Sequence, residues 1–296
     1  MHVGGPEAIT IQARPNYPQV FLRAGVALAV RCRFVKSVWI KVHGRRAHAR
    51  VADEAAGTPI VLVHGIGVSS AYLVPTALAL ASDHPVYAPD LPGFGRSKGP
   101  SRALNVAQLA EELLAWMDAM GLARPVLLGN SFGCQVIVAL SVAAPERVAA
   151  LVLLGPTVDP RWRTFLRQIP RWIVEGMREP WSIFPILALD YLRCGTRRFL
   201  GTARFALANR MEDALPSVHA PTLVVRGGRD AFVSPAWAER VTNLLSNGEL
   251  ATLAGAAHAA NYSAPDEVAR VVRAFLARSC ARTEQVDGPR SRFCEA

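Results

Sequence analysis

Short, uninterrupted apolar runs recur along the middle of this chain, separated by stretches in which apolar residues return every three or four positions. The runs are Ile60 to Val63, Val86 to Ala88, Val126 to Leu128, Leu151 to Leu154 and Leu223 to Val225, the pattern of parallel strands covered on both faces. The clearest helical stretch places Val106, Leu109, Ala110, Leu113, Leu114 and Met117 on one face, with Asn105 as N-cap and Gly121 just past the end. Upstream, Ser37 to Val42 and Ala47 to Val51 flank Gly44 and predict an antiparallel hairpin. Strand and helix in alternation predict an α/β fold with a mostly parallel sheet.

Three segments stand outside the alternation. From about Thr157 to Ser217 there is no convincing strand, only helical pattern rich in Arg, Leu and aromatics such as Trp162, Trp172 and Trp181. The expected organisation is therefore an arm over residues 1–36, a core over 37–156 and 218–280, a helical insertion over 157–217, and a polar, disordered tail over 281–296. Within the arm, Phe21 to Val30 is apolar but interrupted by Arg23 and ended by Arg31 and Arg33. It is too short to span a bilayer and lacks the order of a signal peptide, so it is read as a helix packed on the domain. The alternative is a basic amphipathic anchor on a membrane surface.

Composition narrows the field. A chain of 296 residues that is 51% hydrophobic has material for a sizeable core and is not mainly disordered. The net charge of +10 comes almost wholly from arginine, with Lys36, Lys41 and Lys98 the lysines. No dense basic run is interleaved with aromatics, so nucleic acid is not an expected partner. Five widely spaced cysteines without a C-x-x-C pair argue for reduced thiols in a cytoplasm, against a disulfide scaffold or a structural zinc site. No metal, nucleotide or flavin motif appears, and no cofactor is expected.

The chemistry-bearing feature is Gly129-Asn130-Ser131-Phe132-Gly133, directly after the run ending at Leu128. It matches G-x-S-x-G between a buried strand and a helix, where a tight turn pushes the serine hydroxyl out over the strand end. A serine nucleophile needs a base and an acid to orient that base. Asp230 follows the run Thr222 to Val225 across Arg226-Gly227-Gly228-Arg229, and His258 follows the candidate strand Leu250 to Leu253 across Gly255-Ala256-Ala257. The order Ser131, Asp230, His258 is the one found with this type of elbow. Backbone N–H groups of Ile66, in the loop His64-Gly65-Ile66-Gly67, and of Phe132 are the expected donors to a developing oxyanion. His64 itself is read as a structural hydrogen-bonding residue.

These segments, together with Asp90-Leu91-Pro92-Gly93-Phe94-Gly95-Arg96-Ser97 and the Pro265 and Val268 behind His258, resemble the α/β-hydrolase fold superfamily, of the capped serine hydrolase type. The resemblance covers roughly Ser37 to Arg278. It implies an eight-stranded, mostly parallel sheet flanked by helices, with a helical cap inserted after the sixth strand. It makes Asp90 a structural aspartate, and Asp159 a rival to Asp230, since some relatives carry the acid there. Two departures are Cys134, where many relatives have another glycine, and Ala257, where many have glycine before the histidine. Neither removes a functional group, and Cys134 is read as packing.

A serine at the elbow points to acyl transfer, whereas relatives that open epoxides or displace halide use aspartate. The expected reaction is hydrolysis of a carboxylic ester or lactone through an acyl-enzyme, on a mainly apolar small-molecule substrate. The rival is hydrolysis of a carbon–carbon bond in a vinylogous diketone acid, whose carboxylates an arginine of the insertion (Arg161, Arg163, Arg167, Arg171, Arg193, Arg197 or Arg198) would hold. An acyltransferase or cofactor-free perhydrolase would share the same three residues. A slow or inactive ligand-binding protein on the same scaffold is the reading from another class.

Overall fold

The computed structural model describes residues 10–12 and 35–287, with 10–12 and 282–287 by backbone. The arm segment Phe21 to Val30 lies outside the described residues. The strands are β1 (Thr10–Gln12), β2 (Lys36–Val42), β3 (Arg45–Ala52), β4 (Ile60–Val63), β5 (Val86–Pro89), β6 (Val126–Asn130), β7 (Ala150–Leu154), β8 (Thr222–Gly227) and β9 (Gly248–Leu253). The helices are α1 (Val74–Leu80), α2 (Val106–Ala119), α3 (Phe132–Ala143), α4 (Phe165–Arg178), α5 (Phe184–Cys194), α6 (Thr196–Ala208), α7 (Met211–Ala214), α8 (Pro235–Leu244), α9 (Ala260–Ser263) and α10 (Pro265–Asp287).

One sheet holds all the strands in the order β1-β2-β3-β5-β4-β6-β7-β8-β9. Strands β5, β4, β6, β7, β8 and β9 run parallel, while β3 pairs antiparallel with both β2 and β5. The eight strands from Lys36 to Leu253 are the expected mostly parallel sheet, and the three residues of β1 extend its edge along β2.

The apolar runs lack alternation in sequence because both faces of the strands are covered. Along β6, Leu127 joins a core with α2, α3 and α8, whereas Val126 and Leu128 join another with α1 and α10. In β4, Val61 and Val63 face the first core, and Ile60 and Leu62 the second. Period-two projection thus distributes one continuous hydrophobic run between two interiors. Helix α2 begins as expected: Asn105 accepts from Gln108 N at 2.9 Å, and the Gln108 side chain accepts from Asn105 N at 3.1 Å, a reciprocal capping box. After the helix ends, Gly121 takes φ +71°, the left-handed conformation that glycine adopts without steric cost.

Between β7 and β8 the chain forms α4 to α7 and short 3₁₀ turns, with no strand. For residues 281–287 the expectation of a disordered tail is corrected, since α10 continues to Asp287; residues 288–296 lie outside the described residues. Its core-facing Val268, Ala269, Val272, Phe275 and Leu276 anchor the helix, and the Ala, Arg, Glu and Gln residues that follow carry good intrinsic helix propensity without needing a core. Among the described residues no helix is long and apolar enough to cross a membrane.

The two elbow glycines hold the sheet and α3 together. A Cβ on Gly129 would meet the Gly133 backbone at 2.6 Å, and one on Gly133 would meet the Val63 carbonyl oxygen at 2.3 Å. Gly133→Ala is expected to destabilise the fold by more than Asn105→Ala, whose lost cap costs about 1 kcal/mol. Urea denaturation of the two variants against wild type checks that order.

Candidate active site

The elbow is built from β6, the turn at Ser131 and the start of α3. Ser131 sits at φ +56°, ψ −118° as the N-cap of α3, a backbone conformation that a side chain rarely adopts and that its surroundings must enforce. They do so through its own N–H, which donates to Leu154 O at 2.9 Å, and through Cys134, whose buried thiol reaches Gly129 O at 3.1 Å. Burial pushes the Cys134 thiol well above its usual pKa, which fits a packing role and opposes a reactive thiolate.

Asp230 stands just past β8 and His258 past β9. Asp230 Oδ2 takes the imidazole Nδ1 of His258 at 2.8 Å, while Oδ1 accepts from the N–H groups of Phe232 at 2.7 Å and Val233 at 3.0 Å. A carboxylate held this way keeps the proton on Nδ1 and leaves Nε2 as the imidazole's open nitrogen. The rival Asp159 is committed elsewhere: its carboxylate is bound by Arg161 and by Ser234 Oγ at 3.0 Å. The ring of Phe232 lies 4.7 Å from that of His258, centroid to centroid. Below the imidazole is Gly155, where a Cβ would come within 3.0 Å of Cε1 and Nδ1.

Ser131, Phe132, Ile66 and His258 line one cavity of about 790 Å³ between the strand ends and the insertion. The Ser131 hydroxyl makes its hydrogen-bond contact with Thr157 Oγ1 at 3.5 Å. The N–H groups of Phe132 and Ile66 donate to no protein acceptor among the described residues. For Phe132 this follows from its place in the first turn of α3, where no intrahelical acceptor exists. Asp90 and His64 serve the loops around the site. Asp90 accepts from His48 Nδ1 at 2.8 Å, Ser70 N at 2.7 Å and Arg96 N at 2.8 Å. His64 Nδ1 donates to Gly65 O at 2.8 Å and Nε2 accepts from Leu91 N at 3.0 Å, so burial keeps this ring neutral.

Three residues that the sequence pattern does not single out, Tyr72, Glu175 and Glu179, complete the arrangement together with Asn130 of the elbow. Gly65 N–H donates to the Tyr72 hydroxyl at 2.8 Å, which donates to Asn130 Oδ1 at 2.6 Å. The Asn130 amide then donates to the carbonyls of Leu154 at 3.2 Å and His258 at 3.3 Å. One chain of hydrogen bonds thereby joins the Ile66 loop, the elbow and the His258 loop. From above, α4 supplies Glu175, which accepts from the backbone N–H of His258 and, at 2.7 Å, of Ala231. Glu179 accepts from Ala259 N at 2.6 Å, and its other oxygen is buried without a partner. Burial, reinforced by the neighbouring Glu175, raises the Glu179 pKa to about 7. Burial disfavours protonated His258, but Asp230 and then Glu175 and Glu179 outweigh it and raise its pKa to about 9.

The remaining walls are apolar and aromatic, including Phe165, Trp172, Phe184, Leu187, Phe199 and Leu200. None of the arginines of the insertion lines the cavity. Arg161 pairs with Asp159, Arg163 with Glu212, Arg171 lies over the Trp162 ring, and Arg198 donates to Pro100 O. No cluster of three or more His, Cys, Asp or Glu among the described residues is placed to hold a metal ion.

A strand–turn–helix elbow after β6, an Asp–His pair past the ends of β8 and β9 and a helical insertion above them meet at one end of a doubly covered sheet. The chain belongs to the alpha/beta hydrolase family, whose model matches residues 60–271. It is similar to the dihydrolipoyllysine-residue acetyltransferase component of the acetoin cleaving system of Pseudomonas putida, 30% identical over 74% of this chain and 64% of that one. It is similar as well to 2-hydroxymuconate semialdehyde hydrolase of Pseudomonas sp. strain CF600, 29% identical over 67% of this chain and 66% of the relative. The chain thus spans slightly less than two thirds of each relative's length. Among solved structures, the enol-lactonase from Burkholderia xenovorans LB400 superposes with a TM-score of 0.65 at 22% identity, over 81% of this chain and 99% of that one.

Tyr72→Phe is expected to lower stability by about 1–3 kcal/mol, because Gly65 N–H and Asn130 Oδ1 both lose a buried partner. Urea denaturation checks the magnitude.

Proposed function

We propose that this protein is a serine hydrolase of carboxylic esters or lactones, with Ser131 as nucleophile, His258 as base, Asp230 as orienting acid and the insertion as a cap over the substrate. The observation that carries the substrate class is the cavity wall: apolar and aromatic, with no arginine or lysine. A substrate bearing carboxylates would meet Glu175 and Glu179 there and no arginine or lysine. Neutral acyl groups match it. For that reason the carbon–carbon hydrolase alternative, which the 2-hydroxymuconate semialdehyde hydrolase relative brings forward, carries less weight.

Rotation about the Ser131 Cα–Cβ bond turns Oγ from Thr157 toward His258 Nε2. His258 takes the hydroxyl proton as Oγ attacks the acyl carbon, and Asp230 stabilises the imidazolium through Nδ1. The oxyanion forms against the N–H groups of Ile66 and Phe132, each worth about 3 kcal/mol of transition-state stabilisation. Protonated His258 gives its proton to the departing alkoxide, leaving Ser131 acylated. Water then repeats the sequence in reverse roles, with His258 again the base, and frees the acid. The active form is neutral His258, so a pKa raised to about 9 places full activity at alkaline pH.

With p-nitrophenyl acetate, butyrate and octanoate, kcat/KM is expected to rise roughly two- to fourfold per added methylene as the acyl chain fills the apolar cavity. Ser131→Ala is expected to lower kcat by about 10⁴–10⁶-fold. Turnover that survives in Ser131→Ala would remove the nucleophile assignment.

The pH dependence gives a separate check. kcat/KM is expected to increase as pH rises, with an apparent pKa well above that of an ordinary histidine. Glu175→Gln removes a negative charge that helps hold the proton on His258, so the rise should move to lower pH. A pH–rate profile of the variant showing no shift, or a shift upward, would contradict that role.

A further inference from the structure

Helix α4 is amphipathic in the reverse sense. Gln168, Trp172, Glu175 and Glu179 recur at helical spacing on the face turned to the cavity. The opposite face carries Leu166, Ile169, Ile173 and Met177, also at helical spacing, and these are solvent-exposed: Leu166 is 78%, Ile173 60% and Met177 82% accessible. On the adjoining elements Trp181 is 87% and Leu192 81% accessible. A row of large apolar side chains in water on one helix face marks a surface that meets a partner.

The charges around this face indicate which partner. The acids of α4 and α5 turn inward: Glu175 onto the His258 and Ala231 backbone, Glu179 onto Ala259, and Asp190 onto Ser69 Oγ at 2.6 Å. Arg167 and Arg178 of α4 are exposed, as are Arg193 of α5 and Arg197 and Arg204 of α6, and none of them pairs with a carboxylate among the described residues. The outer surface of the insertion therefore combines apolar side chains with uncompensated positive charge. A second copy pressed against it about a two-fold axis would set arginine against arginine. A bilayer with anionic headgroups supplies both an apolar layer for Leu166, Ile173, Met177 and Trp181 and the countercharge for the arginines.

We propose that the outer face of α4, with the exposed residues of the adjoining turn and α5, docks on a lipid surface bearing anionic headgroups. The cavity rim is continuous in character with this face, since Phe165, Tyr191 and Leu200 both line the cavity and are exposed. This surface does not depend on the ester reading, and Ser131→Ala should dock as wild type does.

The test is flotation of the full chain with phosphatidylcholine vesicles, with and without phosphatidylglycerol. Binding is expected to the mixed vesicles, to weaken with added salt, and to be slight with phosphatidylcholine alone. The combined variant Leu166→Ser, Ile173→Ser, Met177→Ser should weaken partitioning roughly tenfold or more. Arg167→Gln, Arg193→Gln and Arg197→Gln should each weaken it roughly fivefold. Thermal melting should stay at the wild-type value in all of them, which separates lost docking from lost folding. Absence of binding to the mixed vesicles would overturn the proposal. So would binding unaffected by the α4 substitutions, which would trace it to another segment of the chain. A dimer in gel filtration that the α4 substitutions dissociate would assign the face to a second copy instead and overturn it as well.

Discussion

Helix α3 crosses the carboxyl ends of β4 and β6 with no space for a side chain at Gly129 or Gly133, and the rest of the site is arranged around that crossing. The close approach bends the chain so that Ser131 is held at positive φ. It also leaves the Phe132 N–H at the open start of a helix, next to the loop that carries Ile66. A backbone conformation of this kind costs about 1–3 kcal/mol and persists when its surroundings over-determine it. Here the surroundings are the Leu154 carbonyl on one side and the buried flank of α3, with Val136, Ile137 and Leu140, on the other. Stability gathered in two large cores is in effect applied to one turn.

Polar groups then align the three loops that the sheet brings to the same edge. Tyr72 and Asn130 link the Ile66 loop to the elbow and to the His258 carbonyl, and Asp90 with His64 braces the loop after β5. Each of these groups is buried and satisfied, the condition under which a buried polar network rigidifies a structure.

The parts of this architecture legible in the chain are those with a local cause. Continuous apolar runs mark strands because both of their faces are covered, and the glycines beside Ser131, Asp230 and His258 mark sharp turns at strand ends. Tyr72, Glu175 and Glu179 are different, since their meaning comes from what a helix is packed against. Periodicity tells which residues of α4 share a face but not which way that face turns; here the apolar face is outward. The two acids in the arginine-rich stretch between Pro160 and Leu189 were the available sign that something basic or N–H-rich lay beneath them. Likewise, the abundance of arginine in the insertion says nothing of direction, and the side chains point away from the cavity. At the other end, α10 outruns its apolar pattern, in line with the helix propensity of the residues there.

Glu175 bonds at once to the loops of Asp230 and His258, and Glu179 adds a third tie at Ala259. The helical insertion and the Asp230–His258 pair are for this reason one thermodynamic unit. Lifting α4 would strip backbone partners from both loops, and the Asp230–His258 pair would lose order with them. By reciprocity of linked equilibria, whatever favours a seated α4 favours an ordered His258 by the same free energy.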